Sequence, residues 1–357
     1  MFKPIHYYKP NLEAVIKRFQ NMYEAKGPGH VAVYALPSAP PGEPVPPLNQ
    51  ISLDDELETY LDICLRNYEL FIDYTRTTLD DLIPTFGPNF GIGEYSAFIA
   101  GDVVFTEDTS WAAPVLEDLE DYKNLSLDEN NYWVRMMERT FHYLIKQTAS
   151  SQIPINRGYY SPLDLAYALR GEKLFTDFID APELLHAFMN FCAEATIWFA
   201  KRIQSIIGFY FGGNIAGAWL KPGTICMSED TACLISPRLY AEFARPYTQK
   251  VIDAFGYGQI HTHSLGIRTI PEIAKLRNLL GIQISDDPNV PRGFEKLDFL
   301  LPRSNNVPLT IGCTPNELVD CFTEITSQYN IVFAVNVNNA EEGKEIVEWV
   351  RRHSIHG

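Results

Sequence analysis

A strand-like run, a polar loop and an amphipathic helix follow one another eight times along this 357-residue chain. No other feature constrains the fold as much. The runs begin at His30, Leu82, Gln152, Phe209, Gln259, Gly281, Val307 and Ile331. A helix between two strands carries the chain back over the sheet, so successive strands lie parallel. Eight such units close on themselves more readily than they spread into an open sheet, and no GxGxxG motif follows a strand. The expected fold is α/β: a single (β/α)8 TIM barrel over residues 1–357, with an N-terminal helical extension that includes a helix at 12–23.

In a parallel barrel the loops after the strands form the active-site face. The stretch 223–266 is the richest in such loops. A β-prone run at 224–227 ends in Ser228, Glu229 and Asp230. Ser236-Pro237 then pairs an N-cap residue with proline at the first helical position. Leu239, Phe243 and Tyr247 recur on one face of the helix that follows, which Gly256 and Gly258 end. The next run, 259–264, finishes in His261, Thr262, His263 and Ser264. Alternation along a strand puts His261 and His263 on one face.

The rest of the chain supplies framework and further polar loops. Residues 53–74 form a long helix striped by Leu57, Leu61, Leu65, Tyr68 and Phe71. The loop 37–47 is proline-rich and reads as a stiff surface connection rather than a lid. Acid, hydroxyl and indole gather at Glu107, Asp108, Thr109, Ser110 and Trp111. Residues 126–150 read as helix, 156–162 as a polar aromatic loop after a strand, and a long helix starts at Asp180. The run 209–215 (FYFGGNI) reads as a buried strand whose paired glycines allow close backbone approach. Thr314, Pro315, Asn316 and Glu317 form a capping box.

The formal charge of −16 excludes a nucleic-acid role, because no basic field exists to displace counterions. No apolar run approaches the roughly 20 residues that cross a bilayer. The first residues lack the apolar core of a signal peptide. Six cysteines lie scattered without CxxC spacing, so a reduced, cytoplasmic protein is expected. Cys313 reads as a small core residue.

Four segments together resemble the uroporphyrinogen decarboxylase superfamily: ISPRLYAEFARPYTQKVIDAF, GQIHTHSLG behind it, SPLDLAYALRG, and TPNELVDCFTEI. The resemblance covers about 152–352 closely and the earlier residues by layout. It implies a (β/α)8 barrel. It also implies one of two activities: tetrapyrrole decarboxylation, or zinc-dependent methyl transfer with corrinoid proteins or coenzyme M.

The decarboxylase pattern is poorly kept. Its arginine-rich motif falls on 30–47, which holds no arginine, and its aspartate falls on 84–93, which holds no acid. Its last histidine falls on 335–339, where only asparagines offer polar groups. Its tyrosine survives as Tyr167, four residues before Gly171, and its serine falls on Asp230. In the methyltransferase pattern His263 keeps the metal-binding histidine, while Leu265 and Asn336 stand where cysteines would. The resemblance thus implies a divergent member nearer the methyltransferase branch. Such an enzyme acts on a methylated small molecule with a corrinoid protein as partner. Decarboxylation of a porphyrinogen or other acid, and non-catalytic small-molecule binding, are the rivals.

The expected catalytic residues are His263, Asp230 and Tyr167. Trp111, Arg157, Tyr159, Asp286 and Asn338 are expected to bind substrate at the barrel mouth. A divalent metal, zinc, would need a non-standard ligand set built on His261 and His263, with Asp230, Glu229, Asp286 and Cys313 as further donors. Without a metal, His263 would serve as a general acid or base oriented by a carboxylate.

Overall fold

The computed structural model describes residues 2–25, 27–107 and 109–356; Asp108 of the predicted acid–indole cluster lies outside them. Seven strands form one parallel sheet in the order β1-β11-β10-β9-β8-β7-β4. They are β1 (Val31–Pro37), β4 (Tyr159–Tyr160), β7 (Thr224–Ser228), β8 (Tyr257–His263), β9 (Leu279–Ser285), β10 (Leu309–Cys313) and β11 (Ile331–Val337). Outside the sheet lie two antiparallel hairpins, β2 (Val103–Phe105) with β3 (Ser110–Ala112), and β5 (Asn214–Ala216) with β6 (Ala218–Leu220).

The eighth side of the barrel is the extended segment through Phe86. It touches the strand leading into β4 by a single parallel bridge, Phe86 to Ile155. Its other edge meets β1 largely through side chains. The Asp81 amide donates to the Val33 carbonyl at 2.7 Å. The Asp81 carboxylate accepts from the Val33 amide at 2.8 Å, and that of Asp80 from the Ala35 amide at 3.0 Å. Two carboxylates thus replace ladder carbonyls, and being buried they need cations. Lys9 reaches Asp80 at 2.6 Å, and Arg18 and Arg351 each reach Asp81 at 2.7 Å.

The fourth strand corrects the sequence reading. The segment 209–215 is no barrel strand; β7 takes that place. Phe211 and Gly212 have positive φ and turn the chain into the β5–β6 hairpin. A Cβ on Gly213 would lie 2.4 Å from the Leu220 carbonyl oxygen and 2.6 Å from the Trp219 indole, so the close approach expected of the glycines is real. At the hairpin tip Gly217 accepts from the Ile83 amide at 2.6 Å and donates to the Thr85 hydroxyl at 3.2 Å. The eighth side spends its hydrogen bonds on this hairpin instead of on a strand.

Ile215, Trp219 and Leu220 of the hairpin pack with Leu12, Val15 and Phe19 of the Leu12–Glu24 helix and with Ala32 and Val332 of the strands. This apolar cluster plugs one end of the barrel. The larger cluster lies between the outer strand faces and the surrounding helices. Burying each large apolar side chain contributes about 1.5–3 kcal/mol.

Two further elements are shifted: the helix expected over 126–150 spans Tyr132–Thr148, and β4 lies inside 156–162, read as a loop, while 152–155 gives only the Ile155 bridge. The long helix spans Leu53–Thr75. The loop 37–47 is tied to it by Glu43, which holds Arg66 through two 2.8 Å bonds, so it is a fixed connection. Ser236 caps its helix through the Leu239 amide, and Thr314 and Glu317 make the capping box. Cys313 is buried. Among the described residues no helix is long and apolar enough to cross a membrane.

Candidate functional site

Asp230, His261 and His263 meet where β7 and β8 open into the barrel mouth, with their ligand atoms all within 4.8 Å of one another. The strands bring the imidazoles together by parity. His261 and His263 are inward positions of β8, and His261 pairs across with Ser228 on one side and Gln283 on the other. Asp230 is placed by the loop after β7, which Asp164 anchors. The Asp164 carboxylate accepts from the Ser228 hydroxyl at 2.5 Å, the Asp230 amide at 3.0 Å and the Thr231 amide at 2.7 Å.

The next residue back, Glu229, points into the protein and accepts from Tyr240, Thr248 and Ser161 at 2.6–3.0 Å. Burial, with Asp164 nearby, pushes its carboxyl up to about 8. It braces the loop from behind. The turns Tyr240–Ala244 that carry Tyr240 are π-helical.

Hydrogen bonds decide which ring nitrogens face the cavity. His261 Nδ1 lies against Gln283 Oε1, and Gln283 Nε2 donates to Ser285 at 3.0 Å. His263 Nδ1 lies 2.8 Å from Asp287 Oδ1. Both partners are acceptors, so both Nδ1 atoms carry the proton and both Nε2 atoms present lone pairs. Those lone pairs are 3.3 Å apart. Asp230 Oδ1 lies 3.6 Å from one and 3.5 Å from the other, and it is buried without any hydrogen-bond donor.

In these tautomers three lone pairs converge on one point, an arrangement that a bound metal ion or a shared proton relieves. Burial first, and then Asp164, push the Asp230 carboxyl up to about 7 against the pull of His263. Burial lowers His261. Burial alone would raise Asp287, but the Leu265 amide and His263 outweigh it and hold that carboxyl below its usual range. The donor set of two imidazoles, each backed by an acceptor, and one carboxylate fits a divalent metal ion.

Two lobes of one cavity meet here, sharing Ile92, Tyr160 and Asp230 as walls. The outer lobe, about 540 Å³, includes Trp111, Tyr167, His263, Leu265 and Asp287. The inner lobe, about 410 Å³, reaches down past His261 and Gln283 to Gly217 of the plug. Both are of ordinary ligand size.

Of the expected site residues, Trp111, Tyr167, Asp230, His261 and His263 line this cavity. The others do not serve as expected. Arg157 is buried and spent on Glu94 at 3.1 Å, with its guanidinium between the rings of Tyr95, Tyr159 and Phe199. Tyr159 touches the inner lobe but turns its ring outward, edge-on to Phe199; its neighbour Tyr160 faces inward. Asp286 accepts from the Gly293 amide at 2.8 Å outside both lobes, and Asp287 takes the place expected of it. Asn338 is exposed and bonds Glu342 at the start of the last helix. Gln283, Asp287, Tyr160 and Asp164 went unforeseen.

Comparison with known proteins agrees with this architecture. The family model described as uroporphyrinogen decarboxylase (URO-D) matches residues 102–290, more than half of the chain and all of the cluster. The methylcobamide:CoM methyltransferase MtbA of Methanosarcina mazei is 26% identical over 141 residues, 39% of this chain and 37% of that protein. MtbA of Methanosarcina acetivorans matches to the same extent. The chain thus matches little more than a third of the length of these curated relatives. A solved structure of a methyltransferase from Methanosarcina mazei shares the fold, with a TM-score of 0.59 at 12% identity, over 95% of this chain and 98% of that one.

Proposed function

The chain belongs to the uroporphyrinogen decarboxylase family, and from that premise we propose that it is a methyl-transferring enzyme. It moves a methyl group between a small-molecule heteroatom and a corrinoid protein, with a divalent metal held by Asp230, His261 and His263. The observation that carries this reading is the convergence of three lone pairs on one point of the cavity. The methyltransferase relatives support the reaction type. Zinc suits two imidazoles and a carboxylate.

When bound, the ion would supply a Lewis acid that polarises a substrate heteroatom. The chain's own groups do the rest. Gln283 and Asp287 hold the two rings in the tautomer that presents Nε2. Trp111, Tyr160 and Tyr167 give the reacting groups an aromatic wall, open to solvent on the Trp111 side. With Leu265 in place of a cysteine, no thiolate can join at that position.

A metal-free reading also has one observation in its favour. His263 and Asp287 form a base-and-orienter pair at 2.8 Å, with which Nε2 would take or give a proton. The decarboxylase reading lacks such support, because among the described residues no Arg or Lys lines either lobe.

Protein purified without chelators should carry stoichiometric divalent metal, and His261→Ala should lose it. With methylcobalamin and a small thiol, the wild type should demethylate the corrinoid. His263→Ala should lower that rate by at least about 100-fold without changing the circular dichroism. A metal-free wild type that His263→Ala still inactivates would favour the acid–base reading. Full activity in His263→Ala would eliminate both.

A further inference from the structure

The metal cluster occupies only the waist of the cavity, and the inner lobe beneath it has a chemistry of its own. Its wall is made by inward positions of the strands, including Tyr34 on β1, Gln259 on β8 and Thr310 on β10, and the hairpin plug closes its floor at Gly217. Among the described residues, the hydroxyls of Tyr34 and Thr310 make no hydrogen bond to protein. The Gln259 side chain meets only the weak thiol donor of Cys226 at 3.9 Å. Polar groups that face one chamber without protein partners are open to hydrogen bonds from whatever fills it, water or a ligand.

Charge narrows that occupant further. No Arg or Lys of the described residues lines the inner lobe. The guanidinium of Arg157, two residues before β4, pairs with Glu94 at 3.1 Å among the rings of Tyr95, Tyr159 and Phe199 and does not line the lobe. An anionic group deep in this lobe would therefore be desolvated without a partner. A cationic group would find one acid in the wall, Asp230, and that carboxylate belongs to the metal cluster.

We propose that the inner lobe is the substrate chamber and selects an uncharged, hydrogen-bonding small molecule. The reacting heteroatom sits at the waist beside His261 and Asp230. The far, polar end reaches Tyr34, Gln259 and Thr310. The outer lobe, open around Trp111, is left to the methyl carrier. The identity of the reacting heteroatom rests on the methyl-transfer reading; the preference for an uncharged molecule rests on the lining alone.

Three thiols with one two-carbon skeleton test this: 2-mercaptoethanol, 2-mercaptoethanesulfonate and cysteamine, whose far ends are neutral, anionic and cationic. Calorimetric titration of the metal-loaded protein should show the neutral thiol binding at least about tenfold tighter than either charged one. Gln259→Leu and Thr310→Val should each weaken 2-mercaptoethanol several-fold at unchanged metal content, and Thr310→Lys should admit the sulfonate. Circular dichroism of each variant checks that it folds. Equal or tighter binding of the sulfonate by the wild type would overturn the proposal, as would variants that leave the affinity of the neutral thiol unchanged. Selectivity without methyl transfer would count against the proposed reaction while upholding the chamber.

Discussion

Asp287 holds the Nδ1 proton of His263 and so aims the other nitrogen at Asp230 and His261. Asp287→Asn keeps the size of the side chain but loses the charge that supports the imidazole. Chelator competition should show metal affinity lower by about 10–100-fold, with the fold intact. An unchanged affinity would mean that His263 is aimed by packing alone. Asp230 predicts the opposite kind of effect. Its Oδ1 has no donor, so Asp230→Asn should stabilise the metal-free protein to urea while abolishing metal binding. The gain should not exceed about 1 kcal/mol, because 45% of the side chain is open to solvent. Much of this site can be read from strand parity. His261 and His263 share a face, and so, on the next strand, do Gln283 and Ser285, with Asp287 two residues on. Choosing Asp286 over Asp287, or Tyr159 over Tyr160, is a one-residue error that turns a side chain to the other face. Arg157 could not be placed this way. Its partner Glu94 is distant in sequence, and only the fold joins them.

At the scale of elements, two devices hold the barrel where its sheet is incomplete. The β5–β6 hairpin is one, and Trp219 is its largest buried side chain. Trp219→Ala should cost about 3–5 kcal/mol, read from urea unfolding, with little change in metal content. The Asp80–Asp81 seam is the other. Asp81→Ala would strip Arg18, Arg351 and the Val33 amide of their acceptor at once, and should also cost about 3–5 kcal/mol. A loss under about 1 kcal/mol would show that water replaces the carboxylate freely. Neither device announces itself in the sequence. Residues 209–215 have the aromatic and β-branched content of a strand, yet two consecutive positive-φ residues, Phe211 and Gly212, turn the chain there. The capping signals were plainer, since Ser236 and Thr314 act through neighbours three residues on.

Over the whole molecule, the alternation of strand and helix pointed to the barrel although one of its eight members, 209–215, is replaced by β7, because parallel strands need crossovers and enough of them close. What the alternation could not give was which segments pair fully. The eighth side has one bridge and a hairpin across its backbone. Function follows from what the closed barrel gathers. A cavity with acids, imidazoles and aromatic rings, and no Arg or Lys among its described lining, does not suit a substrate of many carboxylates. Purified protein should therefore not convert uroporphyrinogen to coproporphyrinogen. The central claim is that Asp230, His261 and His263 hold a metal ion, and anomalous diffraction from crystals of protein never exposed to chelators tests it most directly. The account predicts an anomalous peak bounded by Asp230 Oδ1, His261 Nε2 and His263 Nε2. Active protein whose crystals show no peak at that point would contradict it.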